Sequence, residues 1–313
     1  MSDNYATVTS FNANGKYCPF CEGGKLDMYS VNNSTGKGRL SIVECQSCRV
    51  AWQWPVISEE NDGTAFFDEN YLANSSTDDK YFDAEQRREV ATMQGNFVKE
   101  ISENTGDLLD VGAGMGLFVN VAKEFGWNAV GIEPSSGGVT TSKLLGEESI
   151  LNCMISDLPK EPTYNVITMW DVIEHVENPV LLIQEAFDRL AEGGWLVIET
   201  GNFQSRSRIE LSENWWLWQS DHRWYLAPNV VESVLAGIGF KHFIHANTVF
   251  RPHFRNNSQQ DNLIKRYLKK TIRKPWHFRT NLRKLRDLNY AYKNWPSWVE
   301  LPIFTIAAQK SGN

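Results

Sequence analysis

Apolar positions along the chain change their period twice. Up to residue 56 they fall in short β-prone runs, "KLDMYSV", "RLSIVEC" and "VAWQW", with Gly-rich turns between them, which predicts a small antiparallel ribbon. Residues 57–83 lose the period and turn polar and aromatic, as a linker or lid would, with Tyr71 and Tyr81 in reach of a site beneath it. From Ala84 onward Val90, Met93, Phe97, Val98 and Ile101 mark one face of a helix. Strand-like and helix-like segments then alternate: "DLLDVG", a helix from about Leu117 to Phe125, "NAVGIE", a weaker helix in the 130s and 140s, "SILNCM" and "YNVITMW". A helix capped by Asn178 with Pro179 in its first turn follows, and then the strand "GGWLVIET". This alternation predicts a parallel sheet covered on both faces. Beyond it come a helix at "VVESVLAGIGF", a strand at "KHFIHA", a basic helical pair at 258–294 broken at Pro275, and a last strand at "PIFTIAAQK". Two late strands joined through an insertion predict an antiparallel pair closing the sheet.

Composition narrows the class. Hydrophobic residues at 42% and charged residues at 22% exclude a wholly disordered chain. No apolar run approaches the ~20 residues that span a bilayer, and the opening "MSDNYATVTS" lacks the features of a signal peptide, so the expected location is cytoplasmic. The net charge of -7 conceals a basic insertion at about 251–300, with 13 Lys+Arg against 3 Asp+Glu. Such a block is a solvated helical face, or else a surface for phosphates, an anionic membrane or an acidic partner.

Four of the five cysteines, Cys18, Cys21, Cys45 and Cys48, form two C-x-x-C knuckles. In a chain with no export signal this spacing points to tetrahedral zinc, and four thiolates leave no open coordination position, so the expected metal is structural. Cys153 reads as core. The expected organisation is a zinc ribbon at 1–56, a linker at 57–83 and an α/β domain at 84–313 carrying the basic insertion.

In "LLDVGAGMGLF", Gly112, Gly114 and Gly116 lie between a buried strand and a helix, where they allow a tight turn and close approach of a ligand to a helix N-terminus. The dinucleotide fingerprint would need glycine where Leu117 stands, which disfavours a pyrophosphate. Glu133 closes the next strand, where a carboxylate can take both hydroxyls of a ribose. Asp157 follows the third strand, either to meet the amino group of an adenine or simply to form a turn before Leu-Pro.

With these motifs in place, residues 84–309 resemble the class I S-adenosylmethionine-dependent methyltransferases, and "WDVIEHVENP" is similar to a signature of their ubiquinone-biosynthesis-like branch. The resemblance implies a Rossmann-like, mostly parallel sheet. It implies that Asp110, Gly112, Gly114 and Gly116 surround the methionine end of the cofactor. Glu133 would then bind the ribose, Asp157 the adenine, and Trp170 and Asp171 would line the sulfonium side. Asn165, where the family usually has Asp, and "SSGG" after Glu133 depart from the pattern. The segment "DHRWYL" is similar to one in zinc-ribbon C-methyltransferases of nucleotide-linked sugars, which implies a proton-abstracting role for His222. His175, at the carboxyl edge, is the second candidate base, or orients the loop. Asp221 tunes His222 or caps the turn, and Tyr225 hydrogen-bonds substrate or packs inward. Trp215, Trp216, Trp218 and Trp224 are expected to form the acceptor wall, or else to anchor the loop to the core. The function expected is methyl transfer to a small-molecule or glycan acceptor. An RNA acceptor, served by the ribbon and the basic insertion, and a non-catalytic adaptor are the alternatives.

Overall fold

A computed structural model of the chain describes residues 17–36, 38–55, 84–102, 104–161, 163–251, 284, 287, 288 and 299–312. Tyr71, Tyr81 and most of the helical pair expected at 258–294 lie outside them.

Two sheets organise the protein. Strands β1 (Leu26–Asn32), β2 (Arg39–Cys45) and β3 (Ala51–Gln53) pair antiparallel in sequence order. Helix α1 (Ala84–Ile101) then leads into the α/β part: β4 (Asp107–Val111), α2 (Leu117–Glu124), β5 (Asn128–Ile132), α3 (Ser136–Leu144), β6 (Ile150–Leu151) and β7 (Tyr164–Trp170). It continues through α4 (Pro179–Arg189), β8 (Leu190–Gly201), the short α5 (Arg206–Leu211), β9 (Trp224–Tyr225), α6 (Pro228–Ile238), β10 (Phe240–His245) and β11 (Ile303–Lys310). The larger sheet has the order β10-β11-β8-β7-β4-β5-β6. Strands β4 to β8 run parallel, and β11 is inserted antiparallel between β8 and β10. This is the expected mostly parallel sheet with its antiparallel pair.

Local chemistry explains the boundaries. The Asn178 side chain accepts the Leu181 amide at the start of α4, and Pro179 occupies the first turn, where its missing N–H is not needed. Despite its two glycines, "SSGG" starts α3, because the Ser135 hydroxyl accepts the Gly138 amide. Asn165 ties strand starts together: its side-chain carbonyl accepts the Asp107 amide at 2.9 Å. The central strands carry residues such as Leu109, Ile167 and Ile198 that are fully shielded from water, as strands covered on both faces require.

The smaller sheet holds a feature without a local signature in the sequence. Its fourth strand is β9, from the connection after β8, which pairs with β3 through Trp52 with Trp224 and Ala51 with Tyr225. The ribbon is thereby joined to the α/β part by a shared sheet. Trp215, Trp218 and Trp224 are 1%, 1% and 2% exposed, and only Trp216 is half-buried. Three of the four tryptophans expected as an acceptor wall are interior packing between the two parts.

Candidate functional site

The carboxyl edge of β4, β5 and β7 collects the glycine turn and its acid. Gly112, Gly114 and Gly116 all have positive φ (71°, 53° and 79°), a conformation that L side chains rarely adopt. A methyl added at Gly112 would sit 2.7 Å from Val172 and one at Gly116 2.7 Å from Glu147, so the turn leaves no room for larger residues. Glu133, buried at the end of β5, accepts the Gly114 amide at 2.9 Å and the Ser135 amide at 2.8 Å. Asp110 lies behind the turn and accepts the Thr168 hydroxyl at 2.6 Å. Burial pushes its carboxyl up to about 7, opposed by the Thr168 bond and aided by the nearby charge of Glu133. Asp157 is exposed, and its carboxylate caps its own 3-10 turn by accepting the Met154 amide at 2.8 Å. Trp170, half-buried, packs edge-on to Phe118 at 5.0 Å and to Phe250 at 6.3 Å.

Beside this turn, the loop after β7 meets the connection after β8. The rings of His175 and His222 stand edge to face with centroids 4.8 Å apart. Glu174 lends its backbone carbonyl to the amides of Arg223 and Trp224, at 2.8 and 3.1 Å, which locks the two loops together. Burial lowers the His222 pKa well below the usual histidine value; the neighbouring His175 and Arg251 push the same way, and a hydrogen bond to the Leu217 backbone opposes them. The imidazole is therefore neutral near pH 7. A ring N–H committed to a backbone carbonyl leaves the other nitrogen as the proton acceptor. Burial, helped by the charge of Asp171, moves Glu174 the other way, well above the usual carboxylate range. Its Oε2 has no hydrogen-bond partner among the described residues.

Asp221 does not reach His222. Its carboxylate lies 3.5 Å from His175 Nδ1 and its backbone oxygen 3.0 Å from the same atom, so it orients the other histidine. Tyr225 packs inward: its hydroxyl meets the Gln219 carbonyl at 3.3 Å and the side chain of Gln53. Asp171, in left-handed backbone at φ 54°, pairs with Arg251, which also lies 3.5 Å from Glu199. Glu199 is fully buried on β8 and is pushed up to about 7 by that burial, against the pull of Arg251. Neither Arg251 nor Glu199 was singled out from the sequence. The only hint was an acid on an otherwise apolar strand.

Two groups of side chains could hold a metal among the described residues. Cys18, Cys21, Cys45 and Cys48 bring their sulfurs within 4.8 Å of one another, with 3.4 Å between Cys18 and Cys48 and 3.6 Å between Cys21 and Cys45. Zinc–sulfur bonds of about 2.3 Å at tetrahedral angles would separate sulfurs by about 3.8 Å, so the set fits that ion. The knuckles are built alike. In each the first cysteine's carbonyl accepts the amide four residues on (Glu22, Arg49), and its own amide bonds the carbonyl five residues on (Gly23, Val50). Glu22 and Arg49 both take positive φ to close these turns. The second group is Glu174, His175 and His222, whose ligand atoms also lie within 4.8 Å.

Comparison with known proteins follows the same outline. A family model described as a methyltransferase domain matches residues 83–243. A ubiquinone biosynthesis O-methyltransferase of Rhodopseudomonas palustris (strain BisB5) is 24% identical over 157 residues, covering 46% of this chain and 62% of that protein. A mitochondrial ubiquinone biosynthesis O-methyltransferase of Candida albicans is 28% identical over 113 residues, covering 33% of this chain and 34% of that protein. The chain thus spans less than two thirds of the length of these relatives. Among solved structures, the complex between the Haloferax volcanii Trm112 methyltransferase activator and its methyltransferase matches 78% of this chain and 97% of that one. The TM-score is 0.51 at 11% identity, a likeness of fold. No helix among the described residues is long and apolar enough to cross a membrane.

Proposed function

The chain belongs to the methyltransferase-domain family, and on that premise we propose that it moves the methyl group of S-adenosylmethionine onto an oxygen of a small-molecule acceptor, with His222 receiving the acceptor's proton. The observation that carries this reading is the placement of a neutral, buried histidine at the edge that also holds the positive-φ glycine turn and Glu133. The glycine turn and Glu133 fit a nucleoside with no diphosphate. S-adenosylmethionine, when bound, supplies an electrophilic methyl group on a sulfonium.

The chain's own residues do the rest. Gly114 and Ser135 hold the Glu133 carboxylate toward the sugar hydroxyls, and Asp110 stiffens the turn from behind through Thr168. Asp157, at the turn after β6, is assigned to the adenine end. Trp170 and Asp171 flank the sulfonium side, with Asp171 fixed by Arg251. His222 takes the proton on the nitrogen not bonded to Leu217. A correctly placed base of this kind is worth typically ~10²–10⁴ in rate. The relatives' names favour oxygen as the acceptor atom. The four cysteines would hold a structural zinc that keeps the ribbon in place.

A second reading is favoured by one observation, the unpartnered buried oxygen of Glu174. In it Glu174, His175 and His222 would hold a divalent cation, whose charge would supply acidification of an acceptor hydroxyl. The experiment for both uses methyl-labelled S-adenosylmethionine, a metabolite extract and mass spectrometry of labelled products. His222→Ala should abolish labelling while S-adenosylhomocysteine still raises the melting temperature; loss of both would make the histidine structural. Labelling lost on dialysis against EDTA and restored by magnesium, which four thiolates do not hold, would select the cation. Label on carbon would overturn the oxygen assignment.

A further inference from the structure

The buried side chain of Gln53 lies at the end of β3, on the ribbon rather than on the methyltransferase fold. Its Nε2 stands 2.7 Å from the Gln219 carbonyl, 3.1 Å from that of Ser220 and 2.6 Å from that of His222. Its backbone amide donates to the Arg223 carbonyl at 3.1 Å, and its side chain meets the Tyr225 hydroxyl. One carboxamide therefore gathers the turn 219–223 from a strand 169 residues away. Within the connection, the Gln219 amide donates to the Leu217 carbonyl and the His222 amide to the Gln219 carbonyl. Buried carbonyls without donors each cost about 1–3 kcal/mol, so this amide is the natural clamp.

From this geometry we infer that Gln53 is a positioning residue for His222: the ribbon reaches across to fix the histidine's backbone, and through it the ring. The inference rests on His222 belonging to the acceptor side of the site, as base or as cation ligand. Around the ring stand His175 and Glu174 from the loop after β7, Tyr225 from its own connection, and Arg251 from the segment after β10. None of these holds the His222 carbonyl. The ribbon is thus part of the active-site scaffold, and a strand that carries no catalytic group decides where the histidine points. A misplacement of about 1 Å is enough to cost on the order of 10²-fold in rate.

The test uses the full chain. Gln53→Met keeps the side-chain length but removes both donors, and Val43→Ala loosens the neighbouring ribbon core without touching the turn. Ring-nitrogen NMR shifts of His222, assigned by their absence in His222→Asn, report which nitrogen carries the proton at one fixed pH. Wild type and Val43→Ala should give one fixed tautomer, and Gln53→Met an averaged pair of shifts with S-adenosylhomocysteine affinity within about twofold of wild type. Gln53→Asn, too short to reach all three carbonyls, should fall between and serves if Gln53→Met does not fold. Unchanged shifts in both Gln53 variants, or equal changes in Val43→Ala, would overturn the inference. Retained methyl transfer in His222→Asn would sink the functional reading instead, whatever the Gln53 shifts do.

Discussion

Truncating Trp218 to alanine separates the two roles open to the aromatic stretch. The side chain is 1% exposed, packs edge-on to Tyr225 at 4.6 Å and Trp215 at 5.3 Å, and lies 6.0 Å from Phe203. Its indole N–H donates to the Ser212 carbonyl at 2.7 Å, and its backbone oxygen accepts the Ser34 amide at 2.7 Å. Loss of a buried Trp side chain costs about 3–5 kcal/mol, and part of that is the stranded Ser212 carbonyl. A whole domain has only about 5–15 kcal/mol to lose. Phe203, Trp215, Trp218 and Tyr225 pack with ribbon residues Val31 and Ile42 in a core separate from those beneath the parallel sheet. The loss should therefore be local. Urea unfolding followed by tryptophan fluorescence and by circular dichroism should split into two transitions, the first for the ribbon and its docking segment. S-adenosylhomocysteine affinity should stay within about twofold. A variant that unfolds like wild type while acceptor affinity collapses would refute this reasoning and return Trp218 to the acceptor wall.

Other outcomes follow from the same contacts. Asp110 keeps its proton in the folded protein up to about pH 7, whereas the unfolded carboxyl releases it near 3.8. Stability should fall as pH rises through that window, by up to about 1.4 kcal/mol per unit for this group, and level off above it. Asp110→Asn should remove that share of the slope in denaturation measured from pH 4 to 8, leaving the similar share of Glu199. Glu133→Ala should weaken S-adenosylhomocysteine by at least about tenfold by calorimetry, one charge-assisted hydrogen bond being worth about 1.5–3 kcal/mol. Cys45→Ser should leave the purified protein without stoichiometric zinc by atomic emission and red-shift its tryptophan fluorescence, because Trp224 packs 5.4 Å from Phe20 in the first knuckle.

What was legible in the sequence was what is encoded locally. The helix cap at Asn178, the glycine turn at 112–116 and the pair of C-x-x-C knuckles each need only a few neighbouring residues, and each stands where its pattern put it. The mostly parallel character of the larger sheet followed from the alternation of periods, and its antiparallel pair from the two late strands. The docking of the ribbon did not, because β9 is two residues long and pairs with a strand far away in sequence. The same distance hid the partners of the site: Arg251 meets Asp171 across 80 residues, and Gln53 meets His222 across 169. Asp221 shows how adjacency misleads, since the turn it sits in points its carboxylate at His175 and not at its neighbour. The tryptophans misled for a different reason, because a large apolar ring suits a ligand wall and an interior seam equally well.

The central claim is that one sheet edge holds both the nucleoside and the histidine pair, and a crystal structure of the full chain grown with S-adenosylhomocysteine tests it most directly. The account predicts ribose hydroxyls on Glu133, backbone of the 112–116 turn against the homocysteine, and the sulfur directed toward His175 and His222. A ligand bound anywhere else, or an edge that accepts a nicotinamide dinucleotide and refuses the homocysteine compound, would contradict it.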